Sequence, residues 1–262
     1  MTETPFVRVL GSADWLPTKN NDGSSYLLND RIMVDTGWSA AYNMICHDLD
    51  PIAPKLLCFT HMHADHYMGL TQLILYWRIK KGSLGEWTIA GPKQTVKAAF
   101  DRAFHYVFHD SHNVLKEVVQ MPHILELSDG ENFSEQGYRI SVISSDHAVP
   151  GLCYRFTHLE TGHTIGFTGD TRYRKQFGAF FKDCDLMLHE ASFGAGPLLP
   201  EANAVCKHSS AQEAAKVAME ARVKRLLLTH AYEPKRQAAV EAARVQLSIP
   251  VDWAYPFTVV EF

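Results

Sequence analysis

Short apolar runs bounded by turn residues alternate with stretches of helical spacing along the whole chain, a pattern that predicts an α/β protein. Residues 6–10, 24–28 and 31–35 read as strands, the last two joined by the tight turn Asn29-Asp30. A helix is expected over 39–49. Residues 55–60 form a continuous apolar run of strand length, the signature of a strand buried on both faces. This run leads directly into His61-Met62-His63-Ala64-Asp65-His66, and 67–80 then has helical spacing with a very apolar face. Further strands are expected at 87–90, 123–127, 138–144, 152–157, 164–169, 185–189 and 224–229. Helices are expected at 93–108, 210–221 and 233–247, and closing strands within 249–262. Strand-rich blocks flanked by helices in both halves fit a four-layer αββα sandwich spanning 1–262 as one domain, with loops at one edge free to assemble a site.

Composition narrows the picture. At 262 residues and 46% apolar the chain can bury a substantial core. The formal charge of −4 gives no electrostatic case for non-specific binding to nucleic acid. Five scattered cysteines without a CxxC pair read as reduced, mostly buried thiols. The N-terminal segment has no basic and apolar regions of a secretion signal, and no apolar stretch approaches the roughly 18 residues that span a bilayer. A cytoplasmic protein is expected. Histidine is the exception: there are fourteen.

Three imidazoles and a carboxylate within six residues, at the end of a buried strand, are metal-ligand chemistry. His61 and His63 can face one ion while Asp65 and His66 turn towards a second. Imidazole and carboxylate suit zinc, manganese or iron, and the lack of cysteine ligands argues against a closed structural zinc site. Three more candidates share one format, a polar residue at the end of an apolar strand: His147 after Ile140–Asp146, Asp170 after Thr164–Gly169, and His230 after Leu226–Thr229. Each strand would deliver its terminal side chain to the same edge.

These segments resemble the metallo-β-lactamase superfamily, and within it the tRNase Z branch and the related cyclic-nucleotide phosphodiesterases. The likeness rests on His61-Met-His-Ala-Asp-His66, His147-Ala-Val-Pro-Gly-Leu-Cys-Tyr-Arg-Phe156, Gly169-Asp-Thr171, His189-Glu-Ala-Ser192, Lys207-His-Ser-Ser210 and Leu228-Thr-His230, and it covers nearly the whole chain. The resemblance implies a metallo-β-lactamase fold and two divalent ions, zinc foremost with manganese as the second option. It implies that His61, His63 and His147 bind the first ion, that Asp65, His66 and His230 bind the second, and that Asp170 bridges them. A carboxylate at Asp170, where other members carry cysteine, favours phosphoesters over β-lactams. The resemblance also implies that His208 protonates the leaving oxygen and that Glu190 orients it; with Asp65 they form the candidate catalytic set. A carboxylate raises a histidine's pKa and so favours the acid form.

Departures from tRNase Z bear on the substrate. That family inserts a long tRNA-gripping arm between the segments matching His147 and Asp170, whereas here 154–169 is hairpin-length. Pro17-Thr18-Lys19 matches the family's tRNA-contacting loop, but Asn20-Asn21-Asp22 follows, with the arginine missing and an acid added. A small phosphodiester is expected, most of all a 3′,5′-cyclic mononucleotide or a cyclic dinucleotide, with tRNA 3′ processing as the alternative. Trp15, Trp38 and Phe193 are candidates for stacking a base. The helix over 67–80 matches a dimer surface in the resembling families, so a homodimer without membrane or large nucleic-acid partners is expected. His105, His109 and His112 share one helical face and read as an amphipathic or interface face. His47, His123, His158 and His163 read as surface or turn positions, and His189 as structural.

Overall fold

The computed structural model describes residues 4–109 and 119–262. Among them the first half contributes strands β1 (Phe6–Ala13), β2 (Asp22–Gly23), β3 (Ser25–Leu28), β4 (Ile32–Thr36), β5 (Leu56–Cys58), β6 (Thr88–Pro92) and β7 (His123–Leu127). The second half contributes β8 (Asn132–Glu135), β9 (Tyr138–Ser144), β10 (Leu152–His158), β11 (Thr164–Phe167), β12 (Leu186–Glu190), β13 (Leu226–Thr229), β14 (Val251–Trp253) and β15 (Val259–Glu261). One sheet runs β15-β1-β3-β4-β5-β6-β7 with β2 on β1; the other runs β14-β13-β12-β11-β10-β9-β8. Tyr26, Leu28, Val34, Leu56, Ile140, Tyr154, Phe156 and Leu188 pack between the sheets. Helices Ala40–Cys46, Leu70–Lys81 and Val96–Phe108 cover the outer face of the first. Phe177–Phe180, Ala211–Ala221 and Arg236–Arg244 cover the second. This is the expected αββα sandwich.

Strand direction decides where a site can form. β4, β5, β6 and β7 are mutually parallel, as are β11, β12, β13 and β14. β9 runs antiparallel to β10, which runs antiparallel to β11, so β9 points the same way as β11. Within each sheet the carboxyl ends of these strands therefore meet at one rim, the position where α/β sheets gather ligand-binding loops.

Several elements differ from the pattern-based expectation. The helix expected over 67–80 is two helices, Ala64–Tyr67 and Leu70–Lys81, because the chain turns at Gly69. A Cβ there would stand 2.2 Å from the Thr36 carbonyl oxygen, and the Gly69 amide donates to Gly37 O at 2.8 Å. The helix expected over 233–247 begins as the 3-10 turn Glu233–Lys235 and is α-helical over Arg236–Arg244. β2, β8, Phe177–Phe180 and Pro200–Cys206 are additional elements. Ser210 starts Ala211–Ala221 with a complete capping box to Glu213.

Asp22, the acid added after Pro17-Thr18-Lys19, is buried, and its carboxylate accepts from the Gly23, Trp38 and Ser39 amides and from Asn43 Nδ2. It anchors the entry to helix Ala40–Cys46 rather than facing solvent. Five cysteines are free, three of them buried. No helix among the described residues is long and apolar enough to cross a membrane. His112 lies outside the described residues; His105 is on helix Val96–Phe108 and His109 caps its end.

Candidate metal centre

Each expected ligand follows or begins at a strand end on the common rim. β5 delivers His61 through Phe59-Thr60, and the extended residue His63 starts the one-turn helix that carries Asp65 and His66. His147 follows β9, Asp170 follows β11 and His230 follows β13. The register of β12 on β13 sets Glu190 opposite Thr229, so Glu190 and His230 become neighbours. His230 itself takes a left-handed conformation, φ 57°, with its amide donating to Ser12 O. Strained backbone of this kind concentrates at functional sites.

The side chains converge on Asp170. Its Oδ2 lies 3.4 Å from His230 Nε2, 3.5 Å from His66 Nε2, 3.8 Å from His61 Nε2 and 4.0 Å from His147 Nε2. On one side, His63 Nδ1 sits 3.1 Å from His61 Nε2 and 3.0 Å from His147 Nε2. On the other, Asp65 Oδ2 sits 3.1 Å from His230 Nε2 and 3.4 Å from His66 Nε2. The ligand atoms of His61, His63 and His147 lie within 4.8 Å of one another, as do those of Asp65, His66 and His230.

This arrangement could hold metal ions. His66 Nε2 and Asp170 Oδ1 are buried without a hydrogen-bond partner, a costly state for atoms sealed from water. Burial, reinforced by the neighbouring imidazoles, holds His61, His63 and His147 below the usual histidine pKa and hence neutral, the form that ligates metal. At His66 and His230 burial works the same way, but Asp170 and Asp65 outweigh it and raise both. Asp170 is held well below the carboxylate range by these imidazoles against the opposing effect of burial. An all-nitrogen and oxygen donor set of this kind fits a pair of divalent ions such as zinc or manganese.

Behind the ligands lies a layer that fixes their orientation. Asp35, left-handed at the end of β4, accepts from Thr60 N and Thr60 Oγ1 and lies 2.8 Å from His66 Nδ1. His147 Nδ1 is 3.1 Å from Lys207 O, and His230 Nδ1 is 2.9 Å from Ser192 Oγ. Such partners set the tautomer and ring angle of a ligating histidine. Asp35 and Ser192 are absent from the expected site set. Asp35 carried a readable signal, since it ends an apolar strand in the format of the other four.

Glu190 and His208 form a second unit beside the expected ligands. His208 Nδ1 is 2.9 Å from Glu190 Oε1, and Glu190 also accepts from Thr171 N and from Ser192 Oγ at 2.6 Å. Burial alone would lower the His208 pKa; the Glu190 carboxylate reverses this and pushes it up to about 9. His208 Nε2 makes no hydrogen bond to a described residue. Asn203, on helix Pro200–Cys206, accepts from the His208 amide and pins its backbone.

Two of the three candidate stacking rings border the centre. Trp15 is largely exposed with its ring 5.7 Å from that of His63, and Phe193 lies 5.9 Å from His208. Trp38 is half-buried, packed beside Gly23 with Nε1 sealed and unpartnered. His189 is buried with Nδ1 2.8 Å from Glu190 O, a structural position.

Residues 30–231 match the family model of the beta-lactamase superfamily domain. A Methanosarcina acetivorans protein named ribonuclease Z is 24% identical over 276 residues, covering 86% of each chain. Among solved structures, the metallo-beta-lactamase fold protein YhfI from Bacillus subtilis superposes with a TM-score of 0.81 at 23% identity, covering 99% of this chain and 100% of the other. The short form of human tRNase Z gives 0.73 at 20% identity, with 98% of both chains covered. The two structures share this fold.

Proposed function

This chain belongs to the beta-lactamase superfamily, and from that premise we propose that it is a metal-dependent phosphodiesterase whose substrates are small phosphodiesters, foremost 3′,5′-cyclic mononucleotides and cyclic dinucleotides. One observation carries the reading: a single carboxylate oxygen of Asp170 stands within 3.4–4.0 Å of four imidazole nitrogens drawn from both triads. His61, His63 and His147 would hold a first divalent cation and Asp65, His66 and His230 a second, with the Asp170 carboxylate placed to serve both groups. When bound, such a pair supplies Lewis acidity towards phosphoryl oxygens and lowers the pKa of water.

The protein's own groups do the remaining work. His208 is the acid: its Nε2 proton passes to the leaving oxygen, which would otherwise depart as an alkoxide. Glu190 accepts from Nδ1 on the opposite side of the ring and stabilises the charged form from which the proton is given. Ser192, donating to Glu190 and accepting from His230 Nδ1, ties the acid to a ligand and holds their spacing.

What flanks the centre supports a small substrate. β10 and β11 are joined by the short loop 159–163, which leaves no room for an RNA-gripping arm at that place. Trp15 offers an exposed face beside His63 for a base to stack on. The outward side of Leu70–Lys81 supports a homodimer: Leu75 and Ile79 are exposed there, next to exposed Tyr42 and Ile45.

The relative named ribonuclease Z favours a second reading, tRNA 3′ processing. A panel of 3′,5′-cyclic AMP and GMP, cyclic dinucleotides, bis-p-nitrophenyl phosphate and a precursor tRNA, assayed with zinc and with manganese, separates the two. Turnover of cyclic nucleotides with intact precursor tRNA is the expected result. Precise 3′ cleavage of the tRNA with no cyclic-nucleotide turnover would establish the second reading instead.

A further inference from the structure

A cleft of about 500 Å³ opens beside His147 and runs away from the metal centre along the rim. It lies at the carboxyl ends of β6, β7 and β9, so its walls come from both sheets: Lys93 and Gln94 after β6, Ser128 after β7, Ser145 after β9. Its volume falls in the roughly 300–1,000 Å³ range of small-molecule sites. The side chains of Lys93, Gln94, Ser128 and Ser145 make no hydrogen bond or ion pair to any described residue. Four polar side chains, one of them cationic, thus face a concave surface with their bonding capacity unused, while the carboxylate of Asp129, also in the lining, accepts from the Ser144 amide at 2.6 Å. Outside this lining, the cations Arg172 and Lys207 are both engaged by Asp146, at 2.6 and 3.5 Å.

We propose that this cleft is a second-nucleotide subsite. The inference rests on the phosphodiesterase reading above and gives it a substrate class, a dinucleotide. With the scissile phosphodiester at the metal ligands, the next nucleotide unit extends past His147 into the cleft. Lys93 meets the anionic oxygens of its phosphate, and Gln94, Ser128 and Ser145 meet sugar hydroxyls and the remaining phosphate oxygens. Leu127, Leu152 and Pro150 provide the apolar wall that a nucleoside requires. A cyclic mononucleotide or bis-p-nitrophenyl phosphate carries no second phosphate and gains nothing from Lys93.

The test compares metal-loaded wild type with Lys93→Ala and Lys93→Glu on three substrates: cyclic di-AMP, 3′,5′-cyclic AMP and bis-p-nitrophenyl phosphate. In parallel, calorimetry measures binding of the linear dinucleotide pApA. The expected outcome is a KM for cyclic di-AMP raised about tenfold in Lys93→Ala and further in Lys93→Glu, the loss of one charge-assisted contact. kcat/KM for the two smaller substrates stays within about twofold, and pApA affinity falls in step with the cyclic di-AMP effect. Unchanged dinucleotide KM and pApA affinity in both variants, or equal losses on all three substrates, would overturn the subsite. Lys93-dependent pApA binding without hydrolysis of any phosphodiester would sink the catalytic reading and leave the subsite standing. Hydrolysis of bis-p-nitrophenyl phosphate with pApA binding indifferent to Lys93 would do the reverse.

Discussion

Asp35 Oδ2 lies 2.8 Å from His66 Nδ1, and both side chains are sealed from solvent. The contact leaves Nε2 of His66 as the only nitrogen that can face Asp65 and Asp170, so a residue outside the ligand set fixes the geometry of one inside it. Burial pushes the Asp35 pKa up, and the His66 ring and the Thr60 donors oppose that rise. Asp35→Asn is therefore expected to leave the fold in place and weaken metal binding by about 10–100-fold, the usual effect of losing such a partner. Competition against a calibrated chelator measures it; unchanged affinity would show that His66 needs no support from behind.

The pairing of Glu190 with His208 sets a pH dependence. The folded-state pKa of His208 is raised, to about 9, so its acid form persists through neutrality and is lost as pH rises through that value. Cations bound nearby would pull the midpoint down. The alkaline limb of kcat is thus expected at or below about pH 9, and in Glu190→Gln it should move to lower pH. His208→Ala should keep its metals and lose roughly 10²–10⁴ in kcat. A pH profile whose alkaline limb is identical in wild type and Glu190→Gln would remove Glu190 from this role.

Gly169 lets the two sheets close at the rim. Its φ is 56°, and a Cβ added there would lie 2.6 Å from Thr60 Cβ on the opposite sheet. Gly169→Ala combines left-handed strain with a collision that can be relieved only by parting the strands that carry His61 and Asp170. A cost of about 2–4 kcal/mol is expected, read as a Tm lowered by roughly 5–10 °C. A Tm within a degree of wild type would mean that the rim yields freely.

How much of this was legible beforehand depends on the kind of signal. Three histidines and an aspartate in six residues announce themselves locally, and the apolar runs ending at His147, Asp170 and His230 carry the same format, because strands that share a direction share a rim. Asp35 ended such a run too, but a lone aspartate before Thr36-Gly37 reads equally well as a turn residue. Ser192 and the Lys207 carbonyl had no signal at all: their roles depend on distances across 38 and 60 residues of sequence. β8 was hidden because its sequence, Asn-Phe-Ser-Glu, is mostly polar on an edge strand. Helix Leu70–Lys81 was recognisable, yet its start was not, since the Gly69 amide is drawn to Gly37 O, a hydrogen bond that only the folded state contains.

The exposed apolar side of Leu70–Lys81 makes oligomeric state a direct measurement. Light scattering should give twice the 29.5 kDa chain mass for wild type. Leu75→Glu with Ile79→Glu should give a single chain that remains folded, because both positions point outward while Leu73, Ile74 and Trp77 hold the core. A wild-type mass of one chain would refute the dimer.

Whether seven side chains hold two catalytic cations is tested most directly by titrating metal-stripped protein with zinc while following hydrolysis of bis-p-nitrophenyl phosphate. Activity should be absent at the start and reach its plateau at two equivalents per chain, with Asp170→Ala never reaching it. Full activity in the stripped protein under excess chelator, or an Asp170→Ala titration that matches wild type, would contradict the account.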